Sequence, residues 1–394
     1  MDQPISPTQA PDRSRLLALG WAAFVACSWT WCIGMYLPVL MIRDFGGAGW
    51  FVFMLPNVVG AAALGWVLHR QGSAAKLARE HWPAAALFSL VTILFHAFFV
   101  GWIIASLVGH AAETITVAAA AGFYFYGRRG RRDLIAAGGL FAFSALAFIA
   151  AALLPDVRPT GRIDVQPFAG LLYLTPVCIF GFLLCPYLDL TFLRARASTE
   201  SHTGIAAFTL GFGVLFLIML LFTNFYARFM QPDNVHSVVP AALRWLIAGH
   251  MMLQTAYTVA LHTRAISEDR RARKLDVIAS FFAALVLVFL VGIWSDRVLP
   301  AGFNSGEFVY RLFMAFYGLI FPAYVWIFMI PPPKGAVVSV RRKRALLAVA
   351  VLIAAPMFWM GFIESRMIWL LPGLGVVLLA RVGLSARVST AAAT

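Results

Sequence analysis

The chain has 394 residues, of which 61% are hydrophobic and 12% are charged, and its mean hydropathy is +0.83. Soluble domains have roughly 45–50% apolar and about 25% charged residues, so this composition excludes a soluble globular enzyme and equally excludes a disordered chain. The formal net charge of +14 would suit a nucleic-acid binder, but no nucleic-acid-binding motif accompanies it. We therefore predict contact with anionic lipid headgroups and no nucleic-acid partner.

Apolar runs long enough to cross a bilayer recur along the whole chain. A crossing helix needs about 20 apolar residues, and short polar or charged clusters separate the runs. The sequence predicts an all-α integral membrane protein with twelve transmembrane helices, called spans one to twelve below. These spans are 16–42, 50–68, 82–108, 111–126, 134–154, 167–193, 204–226, 241–262, 277–294, 309–330, 345–362 and 367–380.

The basic residues indicate how the predicted spans are oriented. Of the 31 Lys and Arg residues, 23 fall on the side of the membrane that holds the N-terminus. Positive charge is enriched in cytoplasmic loops, so we predict that both termini are cytoplasmic. The first apolar run lacks a small-residue cleavage motif, which favours a retained helix over a secretory signal. We expect the protein in a bacterial inner membrane.

Spans one and six stand out because Gly and Pro interrupt both near the middle of the membrane. Span one has Gly34 and Pro38, and span six has Gly181 and Pro186. In hydrocarbon, a broken helix exposes backbone polar groups that only protein, water or a ligand can satisfy. The two spans cross in opposite directions, and such corresponding broken spans indicate the binding site of an inverted-repeat transporter.

On these residues the chain resembles LeuT-fold secondary transporters of the APC superfamily, particularly the sodium/solute symporters. The resemblance implies two inverted repeats of five helices, two accessory helices, and an outer gating loop at 227–240. The corresponding segments are a cytoplasmic tail at 1–15, repeats at 16–154 and 167–330 joined by an extracytoplasmic loop at 155–166, and accessory helices with a cytoplasmic tail at 331–394.

We predict a transporter of a small solute, with its site between spans one and six and with no catalytic residue, resident metal or cofactor. Aromatic faces and exposed helix ends could hold a cationic, planar or apolar solute. A soft metal ion bound by Cys32, Met35 and Cys185 is an alternative, and simple packing of these sulfur side chains is another. The candidate substrate-binding residues are Trp31, Cys32, Gly34, Met35, Tyr36, Phe180, Gly181 and Cys185.

Asp189 is a carboxylate inside an apolar span and is the main candidate for ion coupling. It could exchange H⁺ or Na⁺ during transport, or it could form an ion pair with Arg194 or Arg196 near the cytoplasmic surface. The resemblance adds a sodium site with hydroxyl ligands from span eight, where Thr255 and Thr258 share a face. Bonding of these hydroxyls to their own helix is the alternative.

Three other classes of protein remain open on the sequence. A major-facilitator transporter also has twelve spans, but the loop between spans six and seven is short for that family. A polytopic membrane enzyme would need clustered acid/base or metal-binding groups, and a scaffold or sensor would keep the topology without transport. The outer residues that only the fold could bring together for such chemistry are Glu113, Asp296, Glu307 and Arg311.

Overall fold

The computed structural model describes residues 9–155, 157–159, 168–230, 240–268, 275–294, 305–332 and 338–385. This part of the chain is all-helical and contains no β-strand. Most of the predicted loops 155–166 and 227–240, the C-terminal tail and Asp296 lie outside it. Its helices are α1 (Gln9–Trp29), α2 (Cys32–Val67), α3 (Ser73–Glu80), α4 (Trp82–Val108), α5 (Ala111–Tyr126), α6 (Arg131–Leu153), α7 (Phe168–Leu184), α8 (Leu190–Ala197), α9 (Ser201–Phe229), α10 (Ala241–Ser267), α11 (Leu275–Ile293), α12 (Ser305–Met329), α13 (Val340–Phe362) and α14 (Met367–Leu384).

Among the described residues, eight helices are long and apolar enough to cross a membrane. They include α2, α4 and α12, whereas α1 and α11 contribute shorter apolar segments. The outer surface is apolar as well: Phe123 is 78% exposed, Leu352 73% and Leu146 65%. Such a surface would cause aggregation in water but is stable against lipid tails.

Helix α2 contains the second half of span one and all of span two except its last residue, Leu68. The predicted loop 43–49 is a sharp reversal at Gly46, whose φ of +64° and ψ of −155° are accessible essentially only to glycine. Helical geometry resumes directly after it, so the chain turns back through the membrane without a coil segment.

The interrupted spans lie at the centre of the helix packing. Helix α1 packs on α6 and α9, while α2 packs on α7 and α9, and α4 packs on α10 and α11. At the α2–α7 crossing, a Cβ atom on Gly60 would overlap the carbonyl oxygen of Phe182. Glycine therefore allows the two backbones to touch, as small residues do where membrane helices cross.

Candidate transport site

Span one is broken between α1 and α2, at Thr30 and Trp31. The Trp31 backbone N–H donates to the Trp29 carbonyl at 2.8 Å, and the Trp31 indole N–H donates to the Ser28 carbonyl at 2.5 Å. The break therefore lies before Gly34 and not at it. The Trp31 indole stabilises the break at this position, because it bonds a carbonyl group at the end of α1. Helix α2 then starts at Cys32, whose N–H donates to His96 Nε2 at 3.2 Å.

Span six is broken between α7 and α8. Residues Cys185–Leu188 form one 3₁₀ turn, and Asp189 is extended, with ψ of 110°. The Asp189 Oδ1 atom accepts the Thr191 N–H at 2.7 Å, the Thr191 hydroxyl at 2.7 Å and the Phe192 N–H at 3.4 Å. Asp189 is therefore the N-cap of α8, which explains why an acidic side chain occurs at this break.

The two breaks face one small buried cavity of about 10 Å³. This volume is about that needed for one water molecule, so the site is closed in this conformation. Trp29 holds the cavity wall in place, because its indole N–H donates to Asn57 Oδ1 at 2.6 Å and its ring lies 4.3 Å from the Trp31 ring. The lining residues are Trp29, Trp31, Ile33, Gly34, Asn57, Phe182, Cys185 and Tyr317.

Three of the eight candidate substrate residues line this cavity, namely Trp31, Gly34 and Cys185. Gly181 lines a second, larger cavity instead. The other four candidates, Cys32, Met35, Tyr36 and Phe180, are buried in the surrounding core. The sequence-based candidates did not include the other five lining residues, which are Trp29, Ile33, Asn57, Phe182 and Tyr317.

The second cavity, of about 70 Å³, adjoins the first. Phe182 and Tyr317 line both cavities and so form the wall between them. Asp44 and Arg311 line the second cavity and also belong to an ion-pair cluster. Phe182 and Tyr317 thus lie between that cluster and the cavity at the centre of the molecule.

That cluster, the Arg43 network, joins α2 to α12 and comprises Arg43, Asp44, Glu307 and Arg311. The Arg43 guanidinium binds both carboxylate oxygens of Glu307, at 2.7 and 2.9 Å. Arg311 binds Glu307 at 2.5 Å and donates to the Phe362 carbonyl on α13 at 2.7 Å. Bidentate, partly buried pairs of this kind hold helices in a defined register.

A second cluster, the Asp133 network, joins α6, α8 and α10. Asp133 Oδ2 accepts from Arg194 at 2.9 Å and from Arg264 at 2.5 Å, and Arg264 also donates to the Arg128 carbonyl. Asp133 is 1% exposed and Arg264 is fully buried. Arg194, a predicted alternative partner of Asp189, therefore pairs with Asp133, while Arg196 donates to Thr199 and to the His69 carbonyl.

The three ion-coupling candidates are all buried. Asp189 Oδ2 lies 3.9 Å from His262 Nε2 on α10, and neither atom has a hydrogen-bond partner within the described ranges. The hydroxyls of Thr255 and Thr258, also on α10, have no hydrogen-bond partner among those residues either. The predicted bonding of these two hydroxyls to their own helix is thus not observed.

The helices and the apolar outer surface define an all-helical integral membrane protein. Over 98% of its length the chain is similar to 96% of the manganese transporter of Eremococcus coleocola, whose crystal structure contains an aromatic bis-isothiourea substituted compound. The TM-score is 0.54 and the sequence identity is 12%, so the likeness is one of fold. The sequence matches no family model and no curated protein.

Proposed function

We propose that the chain is a secondary active transporter that moves a small solute together with a cation by alternating access. The observation that carries this proposal is the meeting of two broken membrane helices at one closed cavity. The arrangement as two inverted five-helix repeats with two accessory helices, and cytoplasmic termini, belongs to the same proposal. The similarity in fold to a transporter supports it.

The cavity would bind its substrate through neutral groups. Its lining residues include Trp29, Trp31, Asn57, Cys185 and Tyr317, and none of the lining residues is charged. The first turn of α2, which includes Gly34, has N–H groups without an i−4 acceptor, and the end of α7 has the corresponding carbonyl groups. These opposite partial charges would bind a polar solute from two sides.

The two ion-pair networks are proposed as the gates. In the predicted orientation, the Arg43 network closes the outer end of the molecule and the Asp133 network closes the inner end. Each joins helices that must separate if a solute is to reach the cavity from that side. Alternating access then consists of breaking one network while the other stays intact. Cation binding at Asp189, Thr255 and Thr258 would determine which one opens.

Flux measurements in proteoliposomes test the transport function. Radiolabelled amino acids, amines and nucleobases, together with divalent metals, form the substrate panel. We expect uptake of one class, and we expect Gly34→Leu to lower that uptake at least about tenfold, because a Cβ there already meets the Phe216 ring at 3.5 Å and the rest of a Leu side chain would displace the packing beside the cavity. A Cβ on Gly213 meets no atom within 4 Å, so Gly213→Leu is the control and should transport normally. Absence of flux for the whole panel, or normal flux in Gly34→Leu, would contradict the proposal.

A metal ion is the second candidate substrate. The Cys185 thiol lies on the cavity, and the solved transporter of similar fold is named for manganese. However, the described residues contain no group of three or more His, Cys, Asp or Glu side chains that could hold a metal. A thiol favours softer ions than manganese. Metal flux that is lost in Cys185→Ser but retained in Cys178→Ser would support this candidate.

A further inference from the structure

Asp189 and His262 form a pair that is unusual for the interior of a membrane protein. Both side chains are completely buried, and 3.9 Å separates Asp189 Oδ2 from His262 Nε2. The other atom of each group is occupied: Asp189 Oδ1 caps α8, and His262 Nδ1 lies 2.9 Å from the Ser89 hydroxyl on α4. Each group thus presents one polar atom, without a hydrogen-bond partner among the described residues, towards the other.

Among the described residues, no Lys or Arg side chain forms an ion pair with the Asp189 carboxylate, and the buried Arg196, also on α8, instead donates to Thr199 and to the His69 carbonyl. On α4, His96 uses both ring nitrogens, with the Thr92 carbonyl at 2.7 Å and the Cys32 N–H at 3.2 Å. On α12, the Tyr317 hydroxyl lies 3.0 Å from the Thr92 hydroxyl. On α6, α8 and α10, the charges of the Asp133 network bind one another.

A buried carboxylate without a counter-charge is very costly, and so is a buried imidazolium. One proton removes both costs, because an imidazolium facing a carboxylate is neutral overall, as is a carboxylic acid facing a neutral imidazole. We propose that Asp189 and His262 together bind one proton. The proton bonds to His262 Nε2, giving an imidazolium that faces the Asp189 carboxylate across the gap, and it returns to water when the site opens.

The pair is placed so that its protonation would affect the cavity. Asp189 follows the 3₁₀ turn that begins at the cavity residue Cys185. The Trp31 ring, which lines the same cavity, lies 5.6 Å from the His262 ring, with the ring planes at 72°. Trp31 therefore lies between the proton site and the cavity in which the substrate would bind. This coupling, unlike proton binding itself, rests on the proposed transport function.

Tryptophan fluorescence of the purified protein tests proton binding without any substrate, because an imidazolium in contact with an indole quenches its emission. We expect a step in wild-type fluorescence between about pH 5 and pH 8, the range in which histidine changes its charge. Its absence in Trp31→Phe assigns the step to Trp31. His262→Gln and Asp189→Asn should both lose it, and Asn at position 189 can still cap α8. Should His262→Gln fail to fold, the Asp189→Asn protein decides alone.

His250→Gln is a matched control. His250 is also buried on α10, with Nδ1 2.9 Å from the Ser144 hydroxyl, but the ion pairs of the described residues include no carboxylate partner for it. Its variant should keep the step. The proposal would be overturned if wild type showed no step or if Asp189→Asn kept it. It would also be overturned if the wild-type step disappeared when choline chloride replaced sodium chloride, because the step would then require Na⁺. A step without solute flux would instead reject the transport function and leave the proton site standing.

Discussion

At the centre of the molecule, single polar side chains compensate for the broken helices. Asn57 accepts the Trp29 indole N–H, and His96 accepts the backbone N–H of Cys32. Both acceptors come from helices other than α1. In hydrocarbon a donor left without an acceptor has no water to bond, so these side chains fix the shape of the cavity.

Replacement of Asn57 by Leu should destabilise the protein. Asn57 is 2% exposed, and its loss leaves the Trp29 N–H buried without its acceptor, at a cost of about 1–3 kcal/mol. We expect a lower Tm in detergent. Thr116→Val is the control, because Thr116 is exposed and donates only to its own helix, at Ala112. Equal Tm values for Asn57→Leu and wild type would contradict this role of Asn57.

The individual residues of the site were only partly predictable. Trp31, Gly34 and Cys185 could be selected because they lie beside Gly and Pro in the interrupted spans. Tyr317 on α12 lines the cavity and His262 on α10 faces Asp189 only through tertiary packing, and no local pattern marks either residue. His262 is the last residue of the predicted span eight, a position that does not by itself indicate burial beside Asp189.

At the scale of the helices, the Gly and Pro pattern predicted interruptions in spans one and six, and both spans are interrupted. The position in span one differed: Pro38 lies inside α2, and the break is at Thr30 and Trp31. The hydrogen bonds of the Trp31 indole and backbone determine that position, and periodicity carries no information about them. Similarly, the loop between spans one and two is reduced to a reversal at Gly46.

The crossing of α2 and α7 depends on the absence of a side chain at position 60. Gly60→Leu would force the helices apart where Gly60 faces the Phe182 carbonyl, and overpacking of this kind costs about 1–3 kcal/mol. We expect a lower Tm and loss of the monodisperse peak in size-exclusion chromatography. Gly122→Leu, at a glycine whose Cβ would meet nothing within 4 Å, should leave both measurements unchanged. A stable, monodisperse Gly60→Leu protein would show that the contact is not needed.

At the scale of the whole molecule, composition alone predicted an all-helical membrane protein, because few charges and long apolar runs permit little else. The number of membrane spans is harder to predict from the sequence. Eight helices of the described residues meet the length and hydropathy of a crossing helix, whereas others, such as α10, carry polar side chains including Gln254 and His262 along buried faces. Those polar faces lower the hydropathy of helices that surround the site.

The proposed transport cycle requires one cavity to open alternately to the two sides of the membrane. Labelling of Cys185 by a membrane-impermeant maleimide, followed by mass spectrometry of its peptide in oriented vesicles, tests it most directly. In wild type we expect slow labelling, because Cys185 is 2% exposed. Glu307→Gln should accelerate labelling from the outer side only, and Asp133→Asn from the inner side only. Acceleration of both variants from the same side, or of neither from any side, would show that the two networks are not the gates of one cavity.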